Sequence, residues 1–380
     1  MKILHIASFN GNIGDNANHN GFKENFTKLM DKEINWDFLE MRKFYKIWNI
    51  YHFDSSFVKK ANKYDLIIIG GGNFFDLCHK YSSNGTTIDI TIDILNQIET
   101  PIFFNALGFD IHNGYDDKMK KDFFYFIKYL SENQNKYFIS FRNDGSKKNF
   151  EILYGKILKE ISIIPDGGFF LKINKNKNKN KYLGINVACD MLDKRLINIS
   201  YNELCKKLGK IYFNFIQNYP EYKLIFFPHI FSDYKIIFDI LSNMNDYFIK
   251  YYVEIAPYLT GQGSENDFFS YYKKCDVITG TRFHSNVCSI ALNIPVVPII
   301  NYPQISNLYE EIGYKEKIIY LDEENFEEKY YKELINGIKD TRETKLKYKK
   351  IKKELNKNLE LEYKKLQNWI KNNKKGGHSN

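Results

Sequence analysis

Two things are scarce in this 380-residue chain: paired cysteines and long apolar runs. Its five cysteines, Cys78, Cys189, Cys205, Cys275 and Cys288, are scattered, odd in number and never spaced as CxxC or CxxH. That spacing gives no sign of a disulfide framework or a zinc site, so no metal is expected. No stretch approaches the roughly 18 consecutive apolar residues of a membrane span. Met1-Lys2-Ile3-Leu4-His5-Ile6 is too short an apolar run for a signal peptide, and a cytoplasmic protein is the expectation. Also missing are the motifs that would give a net charge of +9 a nucleic-acid meaning. Many of the 55 basic residues fall after Lys339, so the charge describes one segment and no nucleic-acid partner is expected.

What is present is material for a large core. Hydrophobic residues make up 43% of the chain and aromatics 17%, which excludes a disordered protein. The length exceeds what one core normally supports, so two domains are expected.

Short apolar runs alternate with helix-like polar stretches, as in parallel sheets with crossover helices. Strands are expected at 2–8, 36–41, 65–69, 101–105, 136–141 and 161–164, then at 182–187, 223–227, 247–252, 276–278, 295–300 and 317–321. Helices are expected at 17–30, 55–62, 88–98, 117–132 and 147–154, with more between the later strands. The alternating Lys/Asn run at 173–181 reads as a surface linker. The division is therefore an amino-terminal α/β domain (1–172), the linker, a second α/β domain (182–325) and a Lys-rich helical tail (326–380). Both domains read as doubly wound and Rossmann-like, and such a pair predicts a cleft between the carboxyl ends of the two sheets. In the tail, Leu346, Ile351, Leu355, Leu359, Leu366 and Ile370 form an imperfect apolar stripe.

The motifs fall where strands end. In Asp276-Val277-Ile278-Thr279-Gly280-Thr281-Arg282-Phe283-His284-Ser285-Asn286 an apolar run breaks at Gly280 and delivers Arg282 and His284 to the start of a helix at 285–292. A helix start favours an anion, an arginine can clamp one, and a histidine titrates near neutral pH. Phe9-Asn10-Gly11-Asn12-Ile13-Gly14-Asp15-Asn16-Ala17 follows the first strand but lacks the GxGxxG spacing of a dinucleotide site. Asp15 is either a helix cap, the favoured reading for a lone Asp, or a cleft carboxylate, and His19 lies four residues on. Gly70-Gly71-Gly72-Asn73 is either a tight turn or a place where a ligand meets the backbone, with the Asn73 amide beside it. Arg142 ends another strand and either clamps an anion or pairs with Asp144. Asp166, in Pro165-Asp166-Gly167-Gly168, is a third carboxylate, and His229, in Phe227-Pro228-His229, ranks below His284.

Taken together these segments, and above all Gly280-Thr281-Arg282-Phe283-His284-Ser285 with Ala291-Leu292-Asn293-Ile294-Pro295, resemble the polysaccharide pyruvyl transferase family over about the first 310 residues. The resemblance implies a two-domain GT-B-like fold and transfer of the enolpyruvyl unit of phosphoenolpyruvate to a sugar as a cyclic ketal, with no cofactor. It implies that Arg282 and His284, with Ser285 and an arginine such as Arg142, hold the donor. His284 then carries protons, and Asp15 or Asp166 deprotonates the sugar. The acceptor is expected along Gly14, Asp15, Asn16, Gly71, Gly72, Asn73 and His229. A nucleotide-sugar glycosyltransferase on the same architecture is the competing reading, and an idle sugar-binding scaffold a third. The acceptor can be lipid-linked, and the Lys-rich tail can meet an anionic bilayer or simply close the fold.

Overall fold

A computed structural model of the protein describes residues 1–30, 32–158, 161–173, 180–196 and 198–375; most of the Lys/Asn linker, 174–179, lies outside them. Among the described residues twelve strands form two six-stranded sheets, with parallel pairings throughout. The first sheet contains β1 (Lys2–Ala7), β2 (Asn35–Glu40), β3 (Leu66–Asp76), β4 (Ile102–Asp110), β5 (Tyr137–Arg142) and β6 (Ser162–Ile164), in the order β2-β1-β3-β4-β5-β6. The second contains β7 (Lys181–Asn186), β8 (Tyr222–Phe226), β9 (Val253–Ile255), β10 (Val277–Gly280), β11 (Val296–Ile300) and β12 (Ile319–Tyr320), in the order β12-β11-β10-β7-β8-β9. The strands are near-continuous Ile, Leu, Val and Phe because both faces of a parallel sheet are covered. β4 is buried along its whole length.

In each sheet the strand order reverses once, beside β1 in the first and β7 in the second. Ligands of doubly wound sheets gather at the carboxyl ends flanking such a reversal. Those ends carry the segment 8–12 and the end of β3 in one sheet, and the ends of β7 and β10 in the other.

Two compact units result: Met1–Phe9, Phe22–Gly167 and Glu354–Asn380 in the first, Asn10–Gly21 and Gly168–Lys353 in the second. These bounds depart from the expected serial division in two places. The segment after β1 belongs with the second unit, where Ile13 N donates to the His229 carbonyl at 3.2 Å. The last helix, Thr341–Lys375, contributes to both. In the second unit Tyr348 is fully buried and its hydroxyl accepts from Val296 N at 3.0 Å, while in the first Trp369 donates to the Gln134 carbonyl at 2.6 Å.

The apolar stripe of that helix is packed at Ile351, Leu355, Leu359, Leu366 and Ile370, but Leu346 is 61% exposed and Tyr348 and Tyr363 fill the row instead. The tail is also two helices, since Phe326–Lys339 ends at Asp340. Residues 247–252, expected as a strand, are the helix Asp246–Tyr252. Asn245 caps it by accepting from Tyr247 N, and a cap outweighs the β preference of a tyrosine-rich run.

The glycine triplet departs furthest from expectation. It makes no turn: β3 runs through it to Asp76, with a register shift against β4 between Gly72 and Phe75. Gly70 sits at φ +122°, and a side chain there would collide with the Asn105 carbonyl. The freed Gly70 carbonyl accepts from His5 Nε2 at 2.8 Å.

Candidate functional site

In the second unit the end of β10 and the helix Phe283–Ala291 present the Arg-x-His segment. Arg282 is the residue before the helix, in extended conformation, and its own side chain turns away from the first turn without capping it; a helix start is positive and of the kind that attracts anions. Its backbone is fixed by β7, as the Asn186 side chain accepts from Arg282 N at 3.3 Å.

The Arg282 guanidinium is only 8% exposed and already engaged. Nε and Nη2 donate to Asp233 at 2.9 and 2.5 Å, and Nη2 also donates to Asp190 at 2.7 Å. Asp233 is fully enclosed and takes further hydrogen bonds from the backbone N–H groups of Cys189, His229 and Ile230. It is the anchor that holds Arg282. Asp190 differs, because a third of its side chain is exposed. Burial pushes its pKa up, but Arg282 and Arg195 outweigh that and hold it below the ordinary value.

His284 lies in the first turn of the helix, with Nδ1 3.9 Å from the Asp15 carboxylate. Asp15 comes from the segment after β1, whose helix begins at Ile13, three residues earlier than a capping Asp15 requires. Asn12 takes the capping role by accepting from Gly14 N at 3.0 Å, which frees Asp15 to face the histidine. Gly14 makes this approach possible. A Cβ built on it would lie 2.5 Å from both Cβ and Nδ1 of His284.

The remaining second-unit residues are interior. His229 is fully buried, with Nε2 2.6 Å from the Tyr272 hydroxyl, and burial followed by Arg282 and His284 pushes its pKa well down. Its backbone N–H supports the Asp233 turn while its ring, closed off from solvent, packs against Tyr272. The Ser285 hydroxyl donates to the Arg282 carbonyl at 2.7 Å and is spent inside the helix. Asn16 is buried in the same unit.

In the first unit Arg142 is 3% exposed and pairs with Asp144 at 2.7 Å and Asp166 at 3.4 Å. The pairing with Asp144 is therefore present, and Asp166 joins it. Asp166 is 0% exposed and its N–H donates to Asn143 Oδ1 at 3.0 Å, so it is a scaffold carboxylate, out of reach of a sugar hydroxyl. Asn73 donates to Asp110 at 3.4 Å, and Gly108 leaves room for Asn73 and Arg142 where a side chain would strike both. Gly71 and Gly72 lie buried in β3 beside them.

Sequence reading missed Asp190, Asn186 and Asp110. Each stands at or just past a strand's carboxyl end, the one signal that could have found them. It also passed over Asp76-Leu77-Cys78-His79, whose donor atoms lie within 4.8 Å of one another.

The two doubly wound parallel sheets, with Arg282 and His284 at the end of a central strand, define a GT-B-like α/β protein. Solved structures of that form are similar along nearly the whole chain at low identity, which is a likeness of fold. A UDP complex of MnaA from S. aureus aligns with TM-score 0.50 and 12% identity, covering 90% of this chain and 89% of that one. A Listeria monocytogenes protein described as a UDP-N-acetylglucosamine 2-epimerase aligns with TM-score 0.53 and 11% identity, covering 92% and 90%. No curated protein matches the chain. The family is nevertheless plain: the profile of polysaccharide pyruvyl transferases matches residues 12–302, and the chain belongs to that family. Among the described residues no helix is long and apolar enough to cross a membrane.

Proposed function

We propose that the protein transfers the enolpyruvyl unit of phosphoenolpyruvate to two hydroxyls of a polysaccharide sugar or its lipid-linked precursor, forming a pyruvate ketal and releasing phosphate. The observation that carries this reading is the second-unit constellation of Arg282, held by Asp233, and His284, seated on Gly14 and faced by Asp15. Arg282 and the helix start beside it receive the donor's carboxylate or phosphate. Asp190, partly exposed and bound at one guanidinium nitrogen, yields its place, whereas Asp233 keeps its two-point grip.

Protonated His284 delivers a proton to the methylene carbon, and positive charge develops at the central carbon. A sugar hydroxyl adds there and loses its proton to Asp15, the more exposed of the two carboxylates first considered as bases. Phosphate departs from the same carbon and a second hydroxyl closes the ring; of the two protons lost from the hydroxyls, one replaces the proton given to carbon and the other leaves on the phosphate.

The test is phosphate release from phosphoenolpyruvate in the presence of an acceptor glycan, with mass spectrometry of the product. His284→Ala and Asp15→Asn are expected to lower kcat by about 10²–10⁴, and Arg282→Ala to abolish donor binding. Full activity in all three, or turnover of a sugar nucleotide alone with release of nucleoside diphosphate, would overturn it.

A further inference from the structure

At the end of β3 three different donor types meet: a carboxylate of Asp76, the thiol of Cys78 and the imidazole of His79. Asp76 Oδ2 lies 2.9 Å from His79 Nε2 and 3.7 Å from Cys78 Sγ. Bonds of about 2.0 Å to oxygen and nitrogen and about 2.3 Å to sulfur place tetrahedral zinc ligands roughly 3.3–3.5 Å apart. Both spacings to Asp76 lie within a few tenths of an ångström of that range, and the three donor atoms lie within 4.8 Å of one another, so they stand where small shifts bring them onto one ion.

The surroundings fit as well. Asp76 presents Oδ2 to the other two donors because Thr87 donates its hydroxyl to Oδ1 at 2.6 Å, the supporting hydrogen bond that ligating carboxylates normally have. The backbone folds the segment back, with Cys78 N donating to the Asp76 carbonyl and His79 N to the Gly85 carbonyl, both at 3.0 Å. Cys189, Cys205, Cys275 and Cys288 are buried, whereas Cys78 is half-buried, and His79 is 38% exposed, so solvent reaches the donors. One thiolate, one imidazole and one carboxylate with a position left to water is a donor set for zinc rather than for magnesium or calcium, which favour oxygen alone.

We propose that Asp76, Cys78 and His79 form a zinc site that fastens the end of β3 to the loop through Thr87. Binding releases the thiol proton and the proton that His79 shares with Asp76, and water completes the coordination.

The test uses the full-length protein dialysed against zinc, desalted and assayed for metal, with a parallel Co²⁺ titration followed by absorbance. One ion per chain is expected, with a thiolate-to-cobalt charge-transfer band that Cys78→Ser removes and a metal content that His79→Gln lowers, circular dichroism unchanged in both. Thr87→Val keeps all three ligands and should weaken binding about 10–100-fold. A wild-type protein that retains no zinc, a hydrogen-bonded clasp only, would overturn the proposal. Equal retention by Cys78→Ser and His79→Gln would do the same.

Discussion

Gly14→Ala tests the seat of His284 with a single methyl group. Gly14 lies in the helix Ile13–Met30, where alanine is favoured over glycine by about 1 kcal/mol, so local propensity alone predicts a more stable protein. Its Cβ, however, would stand 2.5 Å from both Cβ and Nδ1 of His284 and 2.6 Å from Cγ, against ordinary carbon contacts of about 3.5–4.0 Å. Because His284 Cβ is itself struck, a rotation of the imidazole does not relieve the clash, and one backbone segment must move by roughly 1 Å. Overpacking of this kind costs about 1–3 kcal/mol, which leaves a net loss of about 0–2 kcal/mol in a fold whose stability is of order 5–15 kcal/mol. The variant therefore folds. A 1 Å displacement of a reacting group costs about 10²-fold in rate, and that is the loss expected in kcat for phosphate release, alongside a thermal melt that barely changes. Wild-type kcat in Gly14→Ala would refute the reasoning, because it would mean that His284 tolerates displacement from Asp15.

Asp233→Asn should destabilise the protein by about 3–5 kcal/mol in denaturant unfolding, since it strips the buried Arg282 of its two-point partner; a loss under about 1 kcal/mol would contradict that role. Asp190→Asn, at a partly exposed position, should leave the melting temperature nearly unchanged and lower the KM for phosphoenolpyruvate severalfold; a raised KM would show that Asp190 assists the donor. Burial, reinforced by Lys23 and only partly offset by the Gly70 carbonyl, pushes the pKa of His5 down to about 4. The unfolded chain takes up a proton below 6.5 while the folded one stays neutral, so stability is complete above 6.5 and falls by about 3 kcal/mol as pH drops toward 4. His5→Gln should show a shallower acid slope in chemical denaturation, and an identical slope would refute the assignment. Leu366→Ala, at a fully buried position of the last helix, should cost about 2–5 kcal/mol, whereas Leu346→Ala should stay within about 0.5 kcal/mol; equal losses would restore the stripe inferred from sequence.

The alternation of apolar runs and polar helices was enough to place both sheets, because parallel strands buried on two faces leave an unambiguous signal. It failed where a short motif overrode composition. Asn245 turned a tyrosine-rich run into a helix, and the glycines at 70–72 continued a strand where glycines usually end one. Arg282 and His284 were legible because an arginine and a histidine between a glycine break and a helix have few purely structural uses. Asp15 was visible with both roles open, since a cap and a cleft carboxylate share one residue type and only the helix start at Ile13 separates them. Asp190 and Asp233 carry no such mark, being ordinary aspartates until the fold brings them to Arg282 from residues 92 and 49 positions away. The spacing rules applied to cysteine overlooked Asp76, Cys78 and His79, because ligands two and three residues apart match no paired-cysteine pattern.

Each unit buries an arginine between two aspartates: Arg142 with Asp144 and Asp166, Arg282 with Asp190 and Asp233. Two carboxylates more than neutralise Arg142, and around Arg282 a second arginine, Arg195, lies 3.7 Å from Asp190 and brings that cluster only to balance, so neither is a simple attractor for an anion. The difference lies in exposure. The Asp144 and Asp166 side chains are 2% and 0% exposed, so the Arg142 triad is closed on itself and serves the frame. Around Arg282 one partner is sealed at 0% and the other is 33% exposed. A sealed partner fixes the guanidinium without competing for its outer side, and an exposed one keeps that side hydrogen-bonded until an anion arrives. Exchanging Asp190 for a substrate carboxylate or phosphate then leaves the number of charge-assisted hydrogen bonds nearly constant. Selectivity follows from that balance, because an uncharged ligand that displaced Asp190 would leave the buried cation short of a partner.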